Sequence, residues 1–362
     1  MDLDFSAEQE QLRASVRRFL AERVPLTAVR SSYGVAATAT DEAWQGLCGL
    51  GVSALLAPES AGGLGLGMVD LGVVLEEGGR GLYGGPLVSS AVGAVSAVSL
   101  LDPESALLPG LAVGSVVATL AVHEPDAHYD WATPSTRCAA DRLTGEKAHV
   151  LDGALADVLL VTARDEDGLG VYVVRRDAAG LTVVPTETYD GSRSWATVSL
   201  DGVEAERLGS GDATATFSVV VDRVTAALVS DGVGAAERCL ELAVGYAKER
   251  EQFGAPIGSF QAVQHLCADM LQWLEMGRAG VHYALWALDA ADPAEGHRAA
   301  TMAKAWASDA FYRVGANAVQ VFGGVGFTWE HDVGLYYKRL LGLQQAWGDS
   351  AHHLEQLATQ IL

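Results

Sequence analysis

Two segments of this sequence combine residue types that can hold a phosphorylated ligand. The first is Arg250–Gly254, with the sequence REQFG, and the second is Gln320–Phe327, with the sequence QVFGGVGF. The arginine is always cationic and can bind a phosphate through two parallel hydrogen bonds. The glycine pair lets a ligand approach the backbone closely, because no Cβ stands in the way. Together the segments predict a site for a large phosphorylated cofactor.

The overall charge of the chain excludes several classes of partner. Its 362 residues include 24 Lys and Arg against 46 Asp and Glu, for a formal charge of −22, and no long basic run occurs. Nucleic acid and anionic membrane surfaces are therefore not expected as partners. An anionic ligand must instead be held by a few placed arginines and by backbone N–H groups.

The N-terminus and the cysteines indicate a cytoplasmic protein. The first residues are acidic and lack the apolar core of a signal peptide. An uncharged stretch at 81–101 reaches membrane-span length, but its Gly, Ala and Ser content and Pro86 predict buried helix instead. The spacings of the cysteines match neither a disulfide framework nor a zinc site, so reduced thiols are expected.

Three regions with different sequence patterns must position the two segments. Residues 1–111 have apolar side chains at helical spacing, and residues 112–208 contain seven short β-rich runs separated by turn residues. Residues 209–362 return to long helices with short joints. The predicted fold class is α+β, with an N-terminal α-helical domain, a middle antiparallel β-barrel or sandwich, and a C-terminal four-helix bundle.

Helix boundaries can be placed at several points. Ser6 followed by Gln9 has the spacing of a capping box, which predicts a helix start there. The helices predicted in the last region are Ala213–Glu251, Ser259–Leu288, Pro293–Phe322, Asp332–Leu343 and Ser350–Leu362.

Four motifs, in this order of domains, resemble a known family. They are Pro58–Gly65 followed by Glu76-Glu77 and Arg80, then Gly145–Lys147, then Tyr246–His265, and finally Gly323–Asp332. This pattern covers most of the chain and is similar to that of the acyl-CoA dehydrogenase family of flavoproteins. The last motif and the short length resemble a subgroup with bacterial steroid and bulky-acyl dehydrogenases, some of them built from two different subunits.

The resemblance implies FAD as cofactor and assigns it a set of residues. Arg250 would reach across a dimer interface to the pyrophosphate of the partner's flavin dinucleotide, and the end of the second segment would hold the adenosine end. From the residues alone, Arg250 could also pair with Glu251 or cap a helix. The implied cofactor-binding residues are Arg250, Gln252, Phe253, Gln261, Gln320, Gly323 and Gly324.

The resemblance also implies an activity, which is α,β-desaturation of an acyl-CoA thioester carrying a bulky or steroid-derived acyl group. A carboxylate removes the α-proton while the β-hydrogen leaves as hydride. The implied partners are an acyl-CoA substrate, an electron-transfer flavoprotein as acceptor, and either further copies of the chain or a related subunit in a heterotetramer.

The carboxylate base is not where many family members carry it. Gly348 stands at the position of the glutamate that precedes the last helix, and Val224 stands where another branch carries its base. Asp231 lies two helical turns after Val224 on the same face, in an apolar stretch. An apolar setting with few partners suits a base that works near neutrality, so Asp231 is the predicted catalytic base.

Other acids remain alternatives for the same task. Asp349 could be the base or could simply start the final helix. Glu330 is expected in the first turn of a helix, where an acid is stabilising. Asp222 and Arg223 would approach the site if the helical count were off by one turn.

Departures from the family pattern leave other functions open. Glu124-Pro125 matches the family, but the Gly-Ser-Asp that normally follows it and contacts the flavin ring is absent. The chain could therefore be a non-autonomous partner subunit that completes a flavin site held mainly by another chain. A third interpretation keeps the fold but either places the acyl group on a carrier protein or assigns other flavin chemistry to the chain. Gly232 and Gly234 are expected to leave room for a large acyl group.

Overall fold

The computed structural model describes residues 5–34 and 41–361, and the chain groups into two compact units. The predicted N-terminal helical region, residues 1–111, is divided between these units. The predicted domain boundaries at residues 111 and 208 therefore stay a prediction. The predicted end of the last helix at Leu362 lies outside the described residues. The first unit comprises Met1–Arg30, Gly72–Tyr83 and Thr225–Leu362, and the second comprises Ser31–Leu71 and Gly84–Val224.

Helices account for most of the described residues outside the sheet. The capping box at Ser6 and Gln9 is confirmed, because the Ser6 side chain accepts from the Gln9 N–H and the Gln9 side chain accepts from the Ser6 N–H. The α-helices are α1 (Ala7–Arg23), α2 (Leu26–Ser31), α3 (Asp41–Gly49), α4 (Met68–Arg80), α5 (Val95–Leu101), α6 (Leu108–Ala112), α7 (Thr214–Glu249), α8 (Gln261–Ala290), α9 (Pro293–Phe322), α10 (Val333–Gln345) and α11 (Ser350–Ile361).

The middle region forms one open, eight-stranded sheet with the order β6-β7-β3-β2-β4-β5-β8, and β1 pairs with β4. Sandwich-like layering is confirmed, whereas a closed barrel is not formed. The strands are β1 (Ala118–Ala121), β2 (Arg137–Ala139), β3 (Arg142–Leu151), β4 (Val158–Asp165), β5 (Gly168–Arg175), β6 (Leu181–Thr186), β7 (Trp195–Glu204) and β8 (Glu206–Leu208).

Most neighbouring strands are antiparallel, as predicted, but β4 is parallel to both β1 and β2. Parallel pairing requires a long connection, and the segment between β1 and β4 provides it. Residues 158–163 of β4 are buried without alternation, which is typical of a strand covered on both faces. The sequence pattern alone does not separate this mixed sheet from an antiparallel one.

In the first unit, α9 packs against α8, α10 and α11. Small side chains let these helices approach closely. A Cβ placed on Gly277 of α8 would lie 2.5 Å from the ring of Phe311 on α9. The predicted bundle of long helices is therefore confirmed, with α10 and α11 as shorter additions.

Candidate functional site

The first predicted segment forms a tight hairpin directly after α7. Strands β9 (Glu251–Gln252) and β10 (Ala255–Pro256) pair across a turn made by Phe253 and Gly254, which have φ angles of +54° and +79°. The backbone of Arg250 is fixed at the base of this hairpin, because its carbonyl accepts from the Ile257 N–H at 2.7 Å.

The hairpin presents its side chains outward. Phe253 is 96% exposed. Among the rings of the described residues it meets the edge of Phe260, at 6.2 Å between centroids. The Arg250 guanidinium has no hydrogen-bond or ion-pair partner among the described residues, so the alternative pairing with Glu251 does not form. Gln261, at the start of α8, is also exposed.

The second predicted segment lies at the end of α9. Gln320 is exposed, and Gly323 closes the helix with a φ of +66° that favours glycine. A Cβ placed on Gly323 or Gly324 would meet no atom within 4 Å. Open space therefore borders this backbone, as a close approach by a ligand requires.

A stacked aromatic pair connects the two segments. Tyr246, one helical turn before Arg250, stacks on Phe322 with ring centroids 4.3 Å apart and an interplanar angle of 14°. His331 packs edge-on against Tyr246 at 6.1 Å. Since Phe322 immediately precedes Gly323, the stack holds the ends of α7 and α9 beside each other.

The predicted base, Asp231, is not an isolated carboxylate. Arg339 on α10 donates from Nε to Asp231 Oδ2 and from Nη2 to Asp231 Oδ1, both at 3.0 Å. The side chains of Asp231 and Arg339 are 6% and 1% exposed, and Arg339 also donates to the Tyr83 carbonyl at 2.7 Å. The expectation that Asp231 has few partners is therefore wrong. Its role as base stays a prediction.

Sequence reasoning did not find Arg339. A single arginine three residues after Tyr336, in a helix whose other buried side chains are mainly apolar, was the available signal. Tyr336 also donates to a carbonyl near the end of α4, that of Arg80, at 2.7 Å. Two donors from α10 thus bind backbone carbonyls at and just beyond the C-terminus of α4.

The glycines beside Asp231 serve helix packing. A Cβ on Gly232 would lie 2.3 Å from Leu343 Cδ2, and a Cβ on Gly234 would lie 1.7 Å from the Glu76 carbonyl oxygen. Gly79 of α4 faces the Asp231 carbonyl in the same way, at 1.8 Å. The expectation that these glycines leave room for an acyl group is therefore wrong, because neighbouring helices fill the space.

The position that carries the base in many family members cannot hold a side chain without rearrangement. Gly348 has a φ of +102°, and a Cβ there would lie 2.6 Å from His353 Nε2 and 2.7 Å from His352 Cδ2. Burial lowers the pKa of His353 to about 4, so the ring is neutral at physiological pH.

The alternative acids are placed as follows. Asp349 accepts from the His352 N–H at 2.8 Å and so caps α11, which matches the alternative that it simply starts the final helix. Glu330 lies before Asp332, the N-cap of α10, so its predicted first-turn position is wrong. In the second unit, Arg223 donates to the Ser96 hydroxyl at 3.3 Å, and Asp222 is buried.

In the second unit, the carboxylate of Glu124 is fully engaged inside the protein. It accepts from the Ser135 and Thr136 N–H groups at 2.7 and 2.9 Å and from Lys147 Nζ at 2.8 Å. Burial alone would raise the pKa of Glu124, but the hydrogen bonds from Lys147 and Thr136 lower it to about 2. Glu124 is therefore a structural anion that holds the loop between β1 and β2.

Among the described residues, no group of three His, Cys, Asp or Glu side chains is arranged to hold a metal ion. Within that part of the chain, no helix combines the length and hydropathy needed to cross a membrane. The four cysteines, Cys48, Cys138, Cys239 and Cys267, are free thiols, as expected.

Comparisons with known proteins match nearly the whole chain. The model described as the acyl-CoA dehydrogenase N-terminal domain matches residues 6–102, and that described as the C-terminal domain matches residues 212–362. Acyl-CoA dehydrogenase IpdE2 of Mycolicibacterium smegmatis is 31% identical over 359 residues, which cover 98% of this chain and 99% of IpdE2.

Two further comparisons add a longer relative and a solved structure. Acyl-CoA dehydrogenase FadE34 of Mycobacterium tuberculosis is 35% identical over 360 residues, which cover 97% of this chain but 47% of FadE34. The structure of a variant of the Tcur3481-Tcur3483 steroid ACAD is 32% identical, with coverage of 98% and 97% and a TM-score of 0.87.

Proposed function

The chain belongs to the acyl-CoA dehydrogenase family, and we propose that it takes part in FAD-dependent α,β-desaturation of a bulky acyl-CoA thioester. The chain is an oxidoreductase of this family, and FAD is its cofactor. The observation that carries the proposal is the open cluster at the ends of α7 and α9. There Arg250, whose guanidinium has no partner among the described residues, faces outward beside uncovered glycine backbone.

This cluster fits the part of a flavin dinucleotide that a second chain would present. Arg250 would bind the pyrophosphate through its guanidinium fork. Gln320 and Gly324 would hold the adenosine end, with the Gly323 turn setting the direction of the backbone. Phe253, Gln252 and Gln261 would line the cofactor.

Bound FAD supplies the acceptor for the hydride that leaves the β-carbon. In this proposal Asp231 takes the α-proton. Its pairing with Arg339 stabilises the ionised form, which is the form a base needs, but it also weakens the carboxylate as a proton acceptor. The proposal therefore requires that the Asp231–Arg339 contact loosens when substrate binds.

The acyl group is proposed to be steroid-derived or similarly bulky. The support is the likeness to a steroid ACAD over nearly the full chain, since the glycines near Asp231 give none. The thioester is proposed to be carried by CoA, with a carrier protein as the alternative, and an electron-transfer flavoprotein is the proposed acceptor.

A second candidate function is that of a partner subunit without autonomous activity. Three observations favour it: Gly348 excludes a side chain at one base position, Asp231 is already paired, and the loop after Glu124 lacks the hydroxyl-bearing family motif.

The experiment that tests the proposal is the visible spectrum of the chain purified alone, recorded with the flavin-to-chain ratio and the native mass. A yellow oligomer with one FAD per chain, active on a steroid-type acyl-CoA, supports the autonomous dehydrogenase. A colourless chain that becomes yellow and active only with a related subunit supports the partner function. A colourless chain that no related subunit converts contradicts both.

A further inference from the structure

Two arginines lie side by side on neighbouring strands of the sheet in the second unit. Strands β2 and β4 are parallel, and Arg137 of β2 pairs with Arg164 of β4. The Arg164 N–H donates to the Thr136 carbonyl at 2.9 Å, which fixes this register. Paired residues share one face of a sheet, and neighbouring strands are about 4.8 Å apart. The two guanidinium groups therefore start from adjacent points on one surface.

No ion pair within the described residues neutralises either arginine. Both side chains are exposed, and neither guanidinium has a hydrogen-bond partner in the part of the chain that the structure describes. Like charges directly opposite each other on neighbouring strands are destabilising. The arrangement therefore lowers the stability of the sheet unless an anion binds between the two side chains.

Asp130 senses the charge of Arg164 but does not pair with it. Burial would raise the pKa of Asp130, but hydrogen bonds from Thr133 and Ala132 lower it. The charge of Arg164 lowers this pKa further. The Asp130 carboxylate accepts from the Ala132 and Thr133 N–H groups at 2.9 and 3.2 Å and also from the Thr133 hydroxyl. Its oxygens thus hold their own loop, and the charge of Arg164 stays available to a ligand.

The charge pattern of the second unit makes this pair unusual. Residues 31–71 contain four Asp and Glu, residues 84–136 contain five, and neither stretch has a Lys or Arg. Arg137 is therefore the first base of this unit along the sequence. A strongly acidic protein repels anions from most of its surface. An anion that binds here must be held by cations placed close together, as these two are.

We infer that Arg137 and Arg164 bind a phosphate group on this face of the sheet. Each guanidinium offers a fork of two parallel N–H donors, and a phosphate has enough oxygen atoms to accept from two forks at once. Thr144 of β3 pairs with Arg137 on its other side and is also exposed, so its hydroxyl can donate to the same group. The inference depends neither on flavin binding nor on the proposed desaturation.

The phosphate can be a free ion or part of a nucleotide, and one titration separates these sources. Calorimetry of the full chain at low ionic strength compares inorganic phosphate, coenzyme A and dephospho-coenzyme A, which lacks only the phosphate monoester of coenzyme A. Inorganic phosphate should bind in either case. Tighter binding of coenzyme A than of its dephospho form, lost when the arginines are replaced, identifies the nucleotide as the source. Equal binding of the two nucleotides identifies the free ion.

Neutral variants of similar length test the two side chains. Arg137→Gln and Arg164→Gln should each weaken phosphate binding by at least about tenfold. Arg137→Lys keeps the charge but loses the fork, so its affinity should fall less than that of Arg137→Gln. Arg175→Gln is the matched control, because Arg175 is an exposed arginine on β5 without an ion pair in the described residues. Its phosphate affinity should equal that of the parent chain.

Thermal unfolding gives a second readout, which detects the like-charge pair itself. Without phosphate, either glutamine variant should unfold at a higher temperature than the parent chain, because the repulsion is gone. Phosphate should raise the unfolding temperature of the parent chain but not that of the glutamine variants. The inference is overturned by a parent chain that binds phosphate no more tightly than Arg137→Gln. An Arg175→Gln chain that loses as much affinity would overturn it too.

Discussion

Asp231 and Arg339 form a bidentate ion pair that joins α7 to α10 and is almost wholly removed from water. Because each charge depends on the other, Asp231→Asn leaves a buried guanidinium with its main counter-ion gone. We expect this variant to lose about 3–5 kcal/mol of unfolding free energy. The double variant Asp231→Asn with Arg339→Met should lose clearly less than the sum of the two single losses, because it removes both charges. Urea unfolding measures all three.

The double variant also separates support of the fold from proton transfer. If Asp231 is the base, D231N/R339M should fold and retain flavin in the assembled enzyme but have no desaturase activity. Single-turnover reduction of the bound flavin by substrate provides the measurement. Turnover close to that of the parent enzyme would remove Asp231 as base and leave the pair with a structural role.

Arg250→Ala is expected to weaken flavin binding in the assembled protein. Each charge-assisted hydrogen bond lost is worth about 1.5–3 kcal/mol, which corresponds to roughly 10–150-fold in affinity. Lys248→Ala is the matched control, since Lys248 is an exposed cation at the end of the same helix. Flavin fluorescence during titration gives both affinities. Equal flavin affinity in the two variants would rule out the pyrophosphate role of Arg250.

The Tyr246–Phe322 stack is expected to position Arg250 relative to the end of α9. Tyr246→Phe keeps the ring and should leave flavin affinity unchanged. Tyr246→Ala should lower flavin affinity severalfold. Its unfolding temperature should fall only by the amount that the lost packing of one ring explains. Dissociation constants for FAD, compared with thermal unfolding of the same samples, distinguish positioning from general loss of stability. The idea fails if the phenylalanine variant behaves like the alanine variant.

Local rules predicted the elements well, because they depend on neighbouring residues. The capping box at Ser6 and the bounds of Pro293–Phe322 follow from side chains within a few positions of each helix end. The partner of Asp231 lies 108 residues away, and no local pattern identifies which buried arginine will reach it. The close packing around Gly232 and the parallel pairing of β4 likewise depend on tertiary contacts. The spacing of residue types along the sequence does not predict such contacts.

Lys304 should make stability depend on pH above neutrality. Its side chain is fully buried, and Nζ donates to the Leu343 carbonyl at 2.9 Å and to the Ser308 hydroxyl at 2.8 Å. Burial lowers its pKa from 10.5 to about 7. Between these values the unfolded chain binds a proton that the folded chain does not, so stability rises with pH over that window and is constant below about 7.

Lys304→Met is therefore expected to remove the rise of the unfolding temperature with pH between pH 7.5 and 10. Lys248→Met, at an exposed position, should keep the slope of the parent chain. If the Lys304→Met chain retained the full slope, another group would be responsible for the proton uptake. The assignment of the pH dependence to Lys304 would then be wrong.

Gly348→Glu restores the residue type that many family members use as base, yet it is expected to fail. The left-handed backbone and the contact of 2.6 Å between a Cβ and His353 Nε2 oppose any side chain. Gly348→Ala alone should cost about 1–3 kcal/mol. Gly280→Ala is the control, because a Cβ there meets no atom within 4 Å.

Removing the obstructing ring should reduce that cost. His353→Ala leaves space beside Gly348, so the double variant with Gly348→Ala is expected to be more stable than the sum of the single effects by about 0.5–3 kcal/mol. Urea unfolding of the four chains measures this coupling. Because the steric obstacle lies within this chain, Gly348→Glu should not give it desaturase activity on its own. A Gly348→Glu chain that is stable and active without any partner would show that the position still accepts a base.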